Sequence, residues 1–482
     1  MTKSHNKFTE HILILGWSQT TSIMLKELSA SSISKNQQIV MLAQKEPEPE
    51  SLTGLEKNFF YLKGNPSLRE NLLQVDATQA QKICINLLGQ TDGDLQTLSI
   101  FSTLQQLFNE ENADPLLIAL LAKEQYRQKL ITSGVDPDTL ISVETLFPCI
   151  AAQVCRQKYL KAVFNEILSV AGNEIYQYPI KDFVGYTWSK VLRAFDNACP
   201  IGIKQNNTFF FNPDQGTLIT EDTDLFVLSS DLQGIHTAPP LLPAPDYKEI
   251  VRGTIASREE ESFLFLGWGA EGKDLVSNLA VCCSPSTTIL IISENDPEIS
   301  NFTQPNLSIS WQKADPHKDD ILEAIQFEFM ENIILFGSSG LDSSAEIELF
   351  HRVKNILART GLTNNITILF GPLTEETKTI PEALSTDIIT TLATQIILHP
   401  PLLHLLRELV QPEGSNIHLK PVENYVEIDS EVNFYTIIEA ARRKNETAIG
   451  YISHIETGTQ VCLNPLKTQK KRFYHFDKII VF

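Results

Sequence analysis

The chain has 482 residues, enough for two to four domains at roughly 100–200 residues each. Hydrophobic residues make up 42% and charged residues 20%, a globular balance that excludes a disordered chain. Acids number 59 against 39 lysines and arginines, and the net charge of −20 argues against a nucleic-acid binder, because a phosphate backbone is repelled by that surface.

The first residues, 1–10, are a polar tail without the apolar core of a signal peptide. Short apolar runs then alternate with helix-period segments. Strands are predicted at 12–15, 39–43, 59–62 and 83–88, with helices to about 29, near 67–74 and near 95–108. Apolar runs of four to six residues alternating with helices imply a parallel sheet covered on both faces, a doubly wound Rossmann-like α/β domain. A helical crossover over 146–171 leads to a small α+β module. It ends in an Asn212-Pro213 turn, a polar stretch and a β run from Asp224. Residues 236–261 hold Pro239, Pro240, Pro243 and Pro245, and that density favours extended linker.

The pattern then repeats. The run from His11 to Trp17 recurs from Ser262 to Trp268, Lys63 to Pro66 recurs as Lys313 to Pro316, and Asn212-Pro213 recurs as Asn464-Pro465, all about 250 residues apart. Ordered matches at a nearly constant spacing mark an internal duplication. The second copy supplies strands at 263–266, 288–292, 308–311, 333–336 and 366–370, a crossover over 391–410 and a second small module. The predicted organisation is a tail (1–10), Rossmann-like domain 1 (11–145), α+β domain 1 (146–235), linker (236–257), Rossmann-like domain 2 (258–390) and α+β domain 2 (391–482). No run of 18 apolar residues occurs, since 388–406 is broken by His399-Pro400-Pro401.

The turn after the first strand of copy two reads Gly267-Trp268-Gly269-Ala270-Glu271-Gly272, a GxGxxG sequence between a strand and a helix. The first glycine permits a tight turn, the second admits a pyrophosphate to the backbone, and the third allows close helix–strand packing. Glu294 follows the second strand, where a carboxylate accepts from ribose hydroxyls. The other reading is that these glycines serve only tight packing. Copy one keeps Gly16 but has Ser18 and Thr21 at the second and third positions, and Ala43-Gln44-Lys45 where the acid would stand. Either the Ser18 and Thr21 hydroxyls hold a phosphate or the site has decayed. Asn65 and Asp315 each precede a proline at the end of a third strand. They suit helix N-caps, and they also sit at the ligand-facing end of a parallel sheet.

Other clusters point to no chemistry. Asp92-Gly93-Asp94 and the 221–224 acids lack EF-hand spacing and read as solvated loops. The basic run 467–472 reads as a solvated loop, or as a contact for an acidic partner or an anionic lipid. Seven cysteines without CxxC spacing argue against a disulfide framework or a zinc site, and no nucleophile, zinc-protease or P-loop motif occurs.

Two Rossmann-type domains, each followed by a small α+β domain, resemble paired RCK domains (regulators of K⁺ conductance) and TrkA-type regulators. The runs 11–17, 40–45, 434–443 and 448–451, with Gly267-Trp268 and Asn464-Pro465, resemble more closely the cytosolic region of the CASTOR/POLLUX ion-channel family. The resemblance implies a gating-ring subunit and no enzyme. It implies NAD(H) or an adenine nucleotide, and Ca²⁺ as a divalent effector, as ligands. Four chains would form an eight-domain homotetrameric ring in the cytoplasm, at the inner face of the plasma membrane. The ring would act on a separately encoded membrane-embedded channel or transporter, because the sequence begins without membrane helices. Ligand positions carry over to Gly267, Gly269, Gly272, Glu294 and Asp315, and in weaker form to Gly16, Ser18 and Asn65. The competing readings are an NAD(P)-dependent oxidoreductase and a scaffold with empty clefts.

Overall fold

The computed structural model describes residues 8–31, 37–54, 58–170, 172–206, 208–237, 244–253, 260–298, 304, 306–337, 344–371, 377–412, 416–455 and 458–482. Pro239, Pro240 and Pro243 of the predicted linker lie outside these, and Pro245 within them.

Copy one opens with β1 (Ile12–Leu15), β2 (Ile39–Ala43), β3 (Phe59–Lys63), β4 (Lys82–Asn86), β5 (Leu116–Leu121) and β6 (Leu140–Ser142). They form one sheet in the order β3-β2-β1-β4-β5-β6, parallel throughout. This is the doubly wound order whose ligand crevice opens at the reversal beside β1. β1, β2 and β4 are buried along their whole length, as strands covered on both faces must be. A small antiparallel sheet follows, of β7 (Glu174–Tyr178), β8 (Cys199–Gln205), β9 (Thr208–Phe211) and β10 (Asp224–Ser229), ordered β7-β10-β8-β9.

Copy two repeats both. Its parallel sheet holds β11 (Ser262–Leu266), β12 (Thr287–Ser293), β13 (Leu307–Lys313), β14 (Asn332–Phe336), β15 (Asn365–Phe370) and β16 (Ala383–Ser385), in the matching order. Its small sheet holds β17 (His418–Pro421), β19 (Ala448–Ile455), β20 (Gly458–Leu463) and β22 (Lys478–Val481). β18 (Glu431–Asn433) pairs separately with β21 (Lys470–Arg472). The expected fold class is therefore present, twice. β5 and the three-residue strands β6 and β16 went unpredicted; the last two are too short to show a period, and their burial comes from neighbours.

The chain forms two compact units. One comprises residues up to Cys155, Ser262–Ala280 and Thr287–Leu403; the other comprises Arg156–Glu261, Val281–Ser286 and His404–Phe482. In the first unit the crossover helices are exchanged between copies. The helix Asp387–Leu398, buried over most of its length, packs on copy one's helix Gln19–Ala30. Lys82 Nζ donates to Leu398 O at 3.2 Å, placing a cation at that helix's open C-terminus. Reciprocally, the helix Val143–Val154 reaches copy two: Cys149 Sγ contacts Asn278 Oδ1 at 3.4 Å, and Asn365 Nδ2 donates to Cys155 O at 2.6 Å.

In the second unit one apolar core serves both small sheets, with Trp188, Phe195 and Leu225 of copy one packed among Tyr425, Tyr435 and Phe473 of copy two. The two Asn-Pro turns hold it across the repeat. Asn212 and Asn464 adopt the left-handed region (φ 43° and 48°), which asparagine tolerates better than most residues. Asn212 Nδ2 donates to Asn445 O (2.7 Å) and Oδ1 accepts from Thr447 Oγ1 (2.8 Å); Asn464 Nδ2 donates to Asn197 O (2.8 Å). Lys467 is not in the solvated loop expected of the basic run: it is fully buried and donates to Asn464 Oδ1 at 3.0 Å.

Candidate functional site: the glycine-loop cleft of the second copy

Gly267, directly after β11, has φ +85°, a value that L side chains rarely adopt, and its N–H donates to Ile292 O at 2.9 Å. The helix Gly272–Cys282 starts five residues later. A Cβ at Gly269 would sit 3.0 Å from both Phe336 Cδ1 and Glu271 Oε2, so the loop runs tightly past the end of β14. A Cβ at Gly272 would meet the Trp268 indole at 2.9 Å. The third glycine thus lets Trp268 lie on the helix start, where it joins Phe265 (6.4 Å between rings) and Phe336 (5.8 Å).

Against this loop lies a cleft of about 400 Å³. Trp268, Gly269, Ala270 and Lys273 line it from the loop and helix, and Asn295, Asp296, Pro297 and Glu298 line it from the segment after β12. The N–H groups of Gly269, Ala270 and Glu271 make no hydrogen bond among the described residues, and Gly269 and Ala270 line the cleft. Free backbone donors at a helix N-terminus, with one lysine, suit an anion. Two carboxylates on the opposite wall are acceptors suited to hydroxyl groups. Asp274, in the first helical turn, is held above the usual carboxylate range by burial and by the charge of Glu144.

The structure brings the predicted Gly269 into this cleft. Glu294 is exposed directly after β12, and the acids that line the cleft are Asp296 and Glu298. The acid-rich run Glu294-Asn295-Asp296, which continues past the strand end, is the signal in the sequence for these lining acids. Asp315 and Asn65 cap no helix, contrary to expectation. Asp315 Oδ1 accepts from His317 N and Asn65 Oδ1 from Ser67 N, both at 2.9 Å, while the helices begin only at Asp319 and Arg69. Each forms a side-chain turn that carries the chain off its strand, because the proline cannot donate there.

The matching turn of copy one is filled by its own side chains. Gly16 has φ +106°, and a Cβ there would lie 2.6 Å from Asn86 O. Ser18 N donates to Thr21 Oγ1 (3.1 Å), Ser18 Oγ meets Thr20 Oγ1 (2.9 Å), and Thr20 Oγ1 donates to Asn86 Oδ1 (3.2 Å). All four residues are buried, and Gln90 Nε2 covers Trp17 O. The hydroxyls that were candidates for phosphate contact are spent on each other and on the helix start.

Among the described residues no helix is long and apolar enough to cross a membrane, and no three His, Cys, Asp or Glu side chains group to hold a metal ion.

Comparison with known proteins agrees with the resemblance read from the sequence. Residues 7–105 match the calcium-activated potassium channel slowpoke-like RCK domain, and residues 144–243 match the family described as Castor and Pollux, part of voltage-gated ion channel. The probable ion channel POLLUX of Arabidopsis thaliana is 20% identical over 99% of this chain and 65% of its own length. Ion channel CASTOR of Lotus japonicus is 20% identical over 98% of this chain and 62% of its own length. The chain thus spans less than two thirds of the length of these relatives. The human SLO3 gating ring superposes over 98% of both chains with TM-score 0.63 at 14% identity, which shows a shared fold.

Proposed function

From a chain that is a distant relative of CASTOR and POLLUX and carries an RCK-type channel regulatory domain, we propose a ligand-sensing gating-ring subunit of a potassium or other cation channel or transporter. Its ligand is NAD(H) or an adenine nucleotide, held in the glycine-loop cleft of copy two. The observation that carries this reading is the set of unbonded N–H groups at Gly269, Ala270 and Glu271, beside Lys273 and across from Asp296 and Glu298. The first cleft takes no nucleotide, since Ser18, Thr20 and Thr21 satisfy its turn. Four chains form an eight-domain ring beneath a membrane-embedded pore on the cytoplasmic side. Ligand moves such a ring only as far as its affinity differs between two ring shapes.

The test is a thermal-shift and calorimetric panel of NAD, NADH, ATP, ADP and Ca²⁺ on the whole chain. A ligand at about 100 times its Kd adds roughly 2.7 kcal/mol to the folded state. One nucleotide should bind once per chain, and Gly269→Asp should abolish that binding while the chain still unfolds cooperatively, with a midpoint lowered only as far as the 3.0 Å approach to Phe336 and Glu271 requires. A flat panel, or binding that survives Gly269→Asp, overturns the assignment.

A further inference from the structure

A second cavity, of about 250 Å³, lies beside the β18–β21 pair in the small domain of copy two. Its floor is apolar: Val432, Phe434 and Phe473 are buried, and Tyr451 meets Phe473 edge-on with ring centroids 5.5 Å apart. Its polar lining is Gln469, Lys470 and Lys471, with no carboxylate among the lining residues. The ammonium of Lys471 sits 5.0 Å from the Tyr451 ring and 5.2 Å from that of Phe473. Its nearest acid, Asp477, stands 3.9 Å away and already accepts from the N–H groups of His454 (3.1 Å) and Tyr474 (3.0 Å).

On a chain of net charge −20, an apolar cavity lined by two lysines and no carboxylate, with Asp477 outside the lining, is a local shift of sign. An apolar wall with a few convergent charges is the usual make-up of a small-molecule site. Copy one has no counterpart: counted from the Asn-Pro pair, Leu218 and Ile219 stand where Lys470 and Lys471 do. We propose that this cavity binds a small aromatic organic anion, its flat body against Tyr451 and Phe473 and its carboxylate or sulfonate on Lys470 and Lys471. Pro465 and Leu466 line the cavity, and the same turn grips copy one through Asn464 Nδ2 and through Lys467 N, which donates to Asp196 O at 3.2 Å. A ligand there bears on the contact that joins the two small domains.

The probe is the aromatic sulfonate 8-anilinonaphthalene-1-sulfonate, titrated by fluorescence against the whole chain. One saturable site is expected. Lys470→Glu combined with Lys471→Gln should weaken it by about tenfold or more, as loss of charge-assisted contacts does. Gln469→Trp, at an exposed position on the mouth, should weaken it comparably by filling the cavity, and gives the result if the lysine variant does not fold. Gly269→Asp should leave it unchanged. Equal binding by all variants, loss only in Gly269→Asp, or no saturable binding overturns the proposal.

Discussion

His11 sits one residue before β1, fully buried beside the Phe8 ring, and burial lowers its pKa from 6.5 to about 4 against the opposing pull of Asp76. The imidazole is therefore neutral in the fold. Between pH 6.5 and 4 the unfolded chain binds the extra proton, so stability is complete above 6.5 and drains as pH falls toward 4. The shift corresponds to about 3 kcal/mol. Denaturant unfolding at pH 7 and pH 4.5 should reveal that loss, and His11→Phe should flatten it; an unchanged slope would remove His11 as the cause. Gly16 carries a different residue-scale constraint, a positive φ with no room for a Cβ. Gly16→Ala should cost about 2 kcal/mol or more in the same assay, and more than Gly89→Ala, where φ of +79° imposes the same backbone strain but nothing lies within 4 Å to clash.

Among elements, the exchanged crossover helices depend on a few polar contacts at their ends. Lys82 is buried at the start of β4, and desolvation lowers its pKa, yet its ammonium is spent on the last carbonyl of the helix Asp387–Leu398. Lys82→Met keeps the stem and removes the bond. It should destabilise by about 1–2 kcal/mol and speed hydrogen exchange in the last turn of that helix. Unchanged exchange there would show that packing alone holds the helix end. Most strands of the parallel sheets were legible because covered parallel strands are continuous apolar runs bounded by turns, whereas their order came from the structure. The helix break at His399-Pro400-Pro401 was legible too, and the helix does end at Leu398. The helix-cap reading of Asn65 and Asp315 failed because a side-chain turn uses the same residue types, and sequence does not show how many residues separate turn from helix.

At the scale of the whole chain, the duplication explains why 482 residues yield two mixed units instead of two separate copies: the large sheets share one unit and the small sheets the other. The Asn-Pro turns are one means of that mixing. Asn464→Ala should cost about 1–3 kcal/mol, since it loses the bond to Asn197 O and leaves the buried Lys467 without its Asn464 partner. A midpoint within error of the parent would remove that turn from the interface. The repeat, the parallel sheets, the glycine turn and the family resemblance can all be read without coordinates, because each is written in local spacing: apolar runs, glycines at fixed offsets, motifs about 250 residues apart. Which copy each crossover helix serves, the bonding of the Ser18 and Thr21 hydroxyls to each other within their turn, the lining of the second copy's cleft by Asp296 and Glu298, and the burial of Lys467 emerge only in three dimensions. Those facts depend on residues far apart in the chain meeting in space, and neither hydrophobic period nor motif spacing carries that information.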